Sequence, residues 1–256
     1  MSVHFRRAAL VAVLLQLGCI ANRVRPAHVV DLSHTLSPQF PFIPAQGKTF
    51  AFRIAPIATL ADNGVNANKW ELTEHNGTHV DAPLHFAANG AAIDQIPIAD
   101  LFVPAVVIDM RDKVARDRDA RLTIDDVLHW ERAHGRIQSG AALFVYTGWD
   151  SRAQNAAAFV NMDAAGVMHF PGIDAATIDF LVTERHIVGL GIDTLSIDPG
   201  DDTKYPTHHK LFAAGKWAVE CVANLGQLPA KGAMVFLGAV KVAGATGAPA
   251  RVVAFW

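Results

Sequence analysis

The sequence predicts a mixed α/β domain, single and rich in antiparallel strands, and three observations carry this. Apolar runs of strand length, dense in β-branched and aromatic residues, recur along the chain and outnumber the helical patterns between them. Hydrophobic residues make up 51% of 256 positions, enough to bury a sizeable core. No internal repeat or low-complexity linker divides the chain, so one domain over 28–256 is the expected organisation.

The segment 1–27 differs in kind. Arg6 and Arg7 precede an apolar run from Ala8 to Ala21, interrupted only by Gln16, Gly18 and Cys19. A basic start followed by a short apolar stretch reads as a secretory signal peptide and is too short for a comfortable membrane span. The expectation is a periplasmic or secreted mature chain with no stable span; a buried N-terminal helix in a cytoplasmic protein is the alternative. Leu17-Gly18-Cys19 faintly matches a lipoprotein cleavage site. With Cys221 as the only other cysteine, the mature chain can form no internal disulfide, and a lone cysteine in an apolar run belongs to core packing.

Further along, Ala105–Met110 and Ala142–Tyr146 are strand runs. Between them Thr123 is a credible N-cap, with Ile124, Val127 and Leu128 at helical spacing and Gly135 as the stop. A second helix starts near Asp174, buries Ile178, Leu181 and Val182, and leads into a strand over 187–192. Met234–Leu237 and Val252–Phe255 add further strands.

Chemistry concentrates in His75-Asn76-Gly77-Thr78-His79-Val80-Asp81-Ala82-Pro83-Leu84-His85. His75, His79, Asp81 and His85 all sit at odd-numbered positions, so an extended segment would turn them to one face. A straight strand would still hold His75 and His79 about 13 Å apart, too far for one ion at Zn–N distances of about 2 Å. Gly77 can supply the kink that brings them together. A helix is disfavoured by Gly77, by β-branched Thr78 and Val80, and by Pro83. Imidazole and carboxylate with no nearby cysteine suit zinc or manganese. Such an ion lowers the pKa of bound water from about 15.7 to about 7 and polarises a carbonyl. Glu220, isolated in an apolar run, needs a partner or a metal. Of His208 and His209, spacing alone favours neither. The net charge of −2 without a basic tract gives no reason to expect nucleic acid. No G-x-S-x-G elbow and no complete dinucleotide fingerprint is present. His34, His129, His134, His169 and His186 have ordinary surroundings.

The histidine run matches, residue for residue, the H-x-G-T-H-x-D-x-P-x-H signature of the metal-dependent cyclase-like amidohydrolases, a family that includes kynurenine formamidases and isatin hydrolases. Val30–Pro38 resembles the family's opening strand and turn, Gly191–Thr194 its central strand end, and Lys241–Arg251 its closing glycine-rich segment. The resemblance spans about residues 28–256. It implies a swivelling β/β/α fold, one or two zinc or manganese ions, and a homo-oligomer, dimer or tetramer. His75, His79, Asp81, His208 and Glu220 are implied as ligands, the last two because a histidine seven positions before a glycine and twelve before a glutamate matches His208, Gly215 and Glu220. His85 matches the family's proton-transfer histidine.

Phe42, Ile43, Trp70 and Phe86 flank the motif and are the expected contacts of a small aromatic substrate. In Pro41-Phe42-Ile43-Pro44, Ile43 replaces the tryptophan that formamidases hold against their substrate. Tyr146–Asp150 and Val167–Gly172 resemble the isatin-hydrolase branch more closely. The expected activity is metal-dependent opening of a cyclic amide of isatin type. The alternatives are arylformamidase action on N-formylkynurenine and a non-catalytic metal-dependent binding protein.

Overall fold

Each strand feeds two apolar layers by turning alternate side chains to opposite faces. Ala105, Val107, Phe144, Trp217, Val219, Val235, Leu237 and Val252 belong to one buried cluster. Their neighbours in sequence Val106, Ile108, Leu143, Val145 and Ala218 belong to the other. The computed structural model that shows this describes residues 26–44 and 48–256. The expected signal peptide lies outside the described residues except for Pro26 and Ala27, and Cys19 lies outside with it.

In chain order the elements are β1 (Val29–Asp31), β2 (Arg53–Ala58), α1 (Leu60–Asn63), β3 (Ala67–Glu71), β4 (His79–Asp81), β5 (Phe102–Asp109), α2 (Arg111–Val114), β6 (Arg121–Leu122) and α3 (Ile124–His134). There follow β7 (Ala142–Tyr146), α4 (Ala156–Val160), β8 (Gly172–Ile173), α5 (Ala175–Glu184), β9 (Gly189–Ile192), α6 (Pro206–Ala213), β10 (Trp217–Glu220), β11 (Lys231–Ala239) and β12 (Gly247–Phe255). The main sheet runs β1-β12-β11-β5-β7-β9-β10-β4, and β4 also pairs with β12. That last pairing closes seven strands into a mixed barrel. β5, β7, β9 and β10 run parallel, and the other neighbours are antiparallel. The predicted antiparallel richness therefore holds for one side of the barrel, while crossovers through α3, α5 and α6 build the other side parallel.

The first cluster fills the barrel. The second lies outside it, under Val127 and Trp130 of α3, Ile178 and Leu181 of α5, and Leu211 and Phe212 of α6. Local signals set the helix ends as expected: Thr123 and Asp126 form a capping box on α3, Gly135 ends it, and Asp174 caps α5.

The hairpin of β2 and β3 is one of the elements that sequence patterning did not predict, along with α1, α2, α4, α6, β6, β8 and β10. Its strands pair only with each other among the described residues. Pro56, Asn68 and Lys69 break the apolar alternation, and both strands are largely exposed, so no half-buried pattern exists to be read.

Candidate metal centre

Gly77 adopts φ 70°, a backbone state that glycine reaches without cost, and turns the chain just before β4. His75 thereby folds back until its Nδ1 lies 2.6 Å from Asp81 Oδ1, and its ring centroid is 5.2 Å from that of His79. The kink does what a straight strand could not. Gly247 makes room for the folded-back ring: a Cβ there would meet His75 Cε1 at 2.7 Å.

Within β4, Val80 enters the barrel, so His79 and Asp81 face outward towards the helical layer. β10 lies antiparallel beside it with Glu220 directly opposite His79, and Val219 points inward while Glu220 points outward. His208, in the first turn of α6, reaches the same spot from above. His85 follows β4 on a single 3-10 turn, Pro83–His85, and stacks on His75 with ring centroids 4.0 Å apart.

Asp81 is the centre of the cluster. His79 Nε2 lies 3.2 Å from Asp81 Oδ1 and 3.4 Å from Glu220 Oε2. His208 Nε2 lies 3.5 Å from Asp81 Oδ2 and 3.1 Å from Glu220 Oε1. The structure thus brings together all five residues expected as ligands. His209 instead meets Phe86 edge-on, outside the ligand groups. Ligand-grade atoms of His75, His79 and Asp81 fall within 4.8 Å of one another, and so do those of Asp81, His85 and His208. His79 Nε2 and Asp81 Oδ2 are buried with no hydrogen-bond partner. Orphaned buried polar atoms are costly, and two within one cluster of imidazoles and carboxylates fit a divalent cation.

Electrostatics agree. Burial opposes ionisation of Asp81, yet His75, His79 and His208 hold its pKa well below the usual carboxylate value. Burial likewise opposes protonation of His79, but Asp81 and Glu220 outweigh it and raise the pKa to about 10. Burial opposes protonation of His208 too, and Asp198, Asp81 and Glu220 raise its pKa well above the usual value. Two buried carboxylates therefore demand positive charge, which protons supply in the metal-free protein. His85 is the exception: burial takes its pKa down to about 4, leaving a neutral imidazole beside the cluster.

A cavity of about 250 Å³ opens over these groups. Phe42, Ile43 and Phe86 line it, as expected from the sequence. Trp70 does not. Strand pairing sets it opposite Ile54 on the hairpin, 65% exposed, and its ring contacts Phe52 edge-on. Tyr205, missed in the sequence, completes the aromatic wall 5.6 Å from Phe86, held at φ 52° ahead of Pro206. Asp198 was missed as well; its carboxylate sits 2.5 Å from His208 Nδ1. An Asp-Pro-Gly sequence reads as a turn and carries no sign of a partner ten residues on.

The family model described as "Putative cyclase" matches residues 30–199. The chain belongs to the cyclase family. Among curated relatives, this cyclase-family chain is 36% identical over 191 residues to isatin hydrolase of Roseibium aggregatum, covering 72% of each chain. It is 26% identical over 225 residues to kynurenine formamidase of Salinibacter ruber, covering 88% of this chain and 96% of that one. Among solved structures, an isatin hydrolase bound to the product analogue thioisatinate superposes with a TM-score of 0.85 at 32% identity, covering 89% of this chain and 92% of the other.

Proposed function

We propose that this protein is a metal-dependent amidohydrolase that opens the ring of a small aromatic cyclic amide, isatin to isatinate in type. The observation that carries the reading is a cluster of His75, His79, Asp81, His208 and Glu220, all but His75 buried, with two orphaned polar atoms, beneath an aromatic cavity. Those five residues would hold one or two divalent ions, zinc or manganese, with Asp81 able to serve both sides. When bound, the ion supplies Lewis acidity, lowering the pKa of water and polarising the amide carbonyl.

The chain's own residues do the rest. Phe42, Ile43, Phe86 and Tyr205 sandwich a flat ring and exclude water from it. His85, neutral at physiological pH, accepts a proton from the attacking water and returns it to the ring nitrogen as the C–N bond breaks. A non-catalytic binding protein would have no use for such a histidine beside the ions.

The wall also favours a neutral cyclic amide. No Lys or Arg is among the described residues that line the cavity. N-formylkynurenine carries an amino-acid carboxylate that such a wall leaves unmatched, and Ile43 stands where formamidases place tryptophan. The expected kcat/KM for isatin exceeds that for N-formylkynurenine by at least about tenfold, or about 1.4 kcal/mol of differential transition-state binding. Side-by-side kinetics on the metal-loaded protein test this, and the reverse preference would promote arylformamidase activity. A swivelling β/β/α architecture, a homo-oligomer and export of the mature chain belong to the same reading. Light scattering checks the assembly, and intact mass of the natively expressed protein checks removal of a leader.

A further inference from the structure

A buried carboxylate survives only with donors arranged around it. Asp198 has no solvent exposure and three donors. The backbone amide of Thr207 donates to its Oδ1 at 2.8 Å, and the amide of His208 donates to its Oδ2 at 3.1 Å. The third is the imidazole of His208, whose Nδ1 lies 2.5 Å from the same Oδ2. An ionised carboxylate only accepts, so the proton of that short contact belongs on Nδ1. With Nδ1 spent in this way, Nε2 is the nitrogen left for an ion; in the metal-free protein it carries the second proton towards Asp81 and Glu220, 3.5 and 3.1 Å away.

The neighbouring residue does a parallel job. Ile197 donates its backbone amide to Glu220 Oε1 at 2.9 Å. The loop itself is fixed, because Thr194 Oγ donates to the Ser196 carbonyl and the Asp198 amide donates to Ser196 Oγ. Thr194 also accepts the backbone amide of Cys221 at 2.8 Å. One buried loop after β9 therefore orients two side chains that come from different elements, α6 and β10.

We propose that Asp198 is the positioning residue of the metal centre: it fixes the tautomer and the aim of His208, and the loop 194–198 is the frame that presents His208 and Glu220 together. The inference rests on the reading of His208 and Glu220 as ligands and extends it to a residue that touches neither metal nor substrate. It also explains why a helix whose own N-cap position, Tyr205, makes no side-chain cap bond can start where it does. Asp198 supplies the missing acceptor to amides nine and ten residues on in sequence and ties the helix start to the ligand.

Zinc is the probe, added to metal-free protein labelled with ¹⁵N-histidine. In the wild-type protein the His208 ring should carry its proton on Nδ1, as a hydrogen-bonded downfield resonance, with zinc on Nε2. Asp198→Asn should shift or erase that resonance and weaken zinc binding by about 10–100-fold, the usual effect of losing such a support. Thr177→Val is the control. It removes a buried threonine hydroxyl of the same kind, the Thr177 Oγ bond to the Leu122 carbonyl at 3.0 Å on α5, away from Asp198 and the ligands, so zinc affinity should stay within about twofold. A zinc-loaded wild-type resonance showing the His208 proton on Nε2 overturns the proposal without any variant. So does wild-type zinc affinity in Asp198→Asn, or an equal loss in Thr177→Val. Inactivity on isatin with all these results intact would refute the substrate assignment alone.

Discussion

Replacing His85 by alanine separates proton transfer from metal binding. The ring stacks on His75 at 4.0 Å, meets Phe86 edge-on at 4.6 Å, and is held neutral by burial with a pKa of about 4. Removing a positioned general acid–base costs about 10²–10⁴-fold in kcat. At 1.36 kcal/mol per tenfold, that is about 2.7–5.4 kcal/mol of lost transition-state stabilisation. The side chain is only partly buried, so folding stability should fall by no more than about 1 kcal/mol. The rival geometry is explicit, since ligand-grade atoms of Asp81, His85 and His208 also fall within 4.8 Å of one another. Steady-state kcat and metal content by atomic emission, measured on one preparation after exhaustive buffer exchange, distinguish the two roles. The expected variant keeps its metal and loses turnover. Loss of metal in parallel with activity would refute the reasoning, as would a kcat reduced by less than tenfold.

Asp81→Ala combined with Glu220→Ala should abolish stoichiometric metal binding, because it removes both carboxylates expected as ligands; full occupancy by elemental analysis would overturn the assignment. Metal-free protein should lose stability with rising pH. His79 has a folded pKa of about 10 against 6.5 in a free side chain, so its contribution is complete below 6.5 and disappears as pH passes about 10. Melting curves should show this fall, and the metal-loaded protein, whose imidazoles bind as neutral ligands, should not share it. Zinc uptake at neutral pH should accordingly release protons, visible as a dependence of binding enthalpy on the ionisation heat of the buffer. Gly247→Ala, which drives a methyl against His75 Cε1 at 2.7 Å and the Val80 carbonyl at 2.8 Å, should weaken metal binding more than it weakens folding. Equal metal affinity by calorimetry would show that the His75 ring simply moves aside.

Local chemistry was legible in the chain and long-range geometry was not. Gly77 between two histidines announced a kink because only glycine takes a positive φ so readily, and odd-numbered His79 and Asp81 announced a shared face. The caps of α3 and α5 were equally plain, since Thr123 and Asp174 act on amides two or three residues away. No local pattern could reveal that Glu220 lies opposite His79, because the pairing of β10 with β4 joins residues 141 positions apart. Asp198 was hidden by its turn sequence, and Trp70 misled because proximity to a motif in sequence was taken as proximity in space. The resemblance to a family supplied His208 where spacing left two histidines even.

β4 is both the strand that shuts the barrel and the strand that carries His79 and Asp81. Its three residues pair with β10 on one side and β12 on the other, so no opening of that seam leaves the candidate ligands in place. An ion gripping His79, Asp81 and Glu220 would act as a clasp across the β4–β10 boundary, turning local breathing into an event that must first release metal. Amide hydrogen exchange at Val80 and Val219 should then slow with metal occupancy, while exchange in the β2–β3 hairpin, outside the barrel, stays as it was. On the proposed assignment, the candidate metal centre doubles as the latch of its own scaffold.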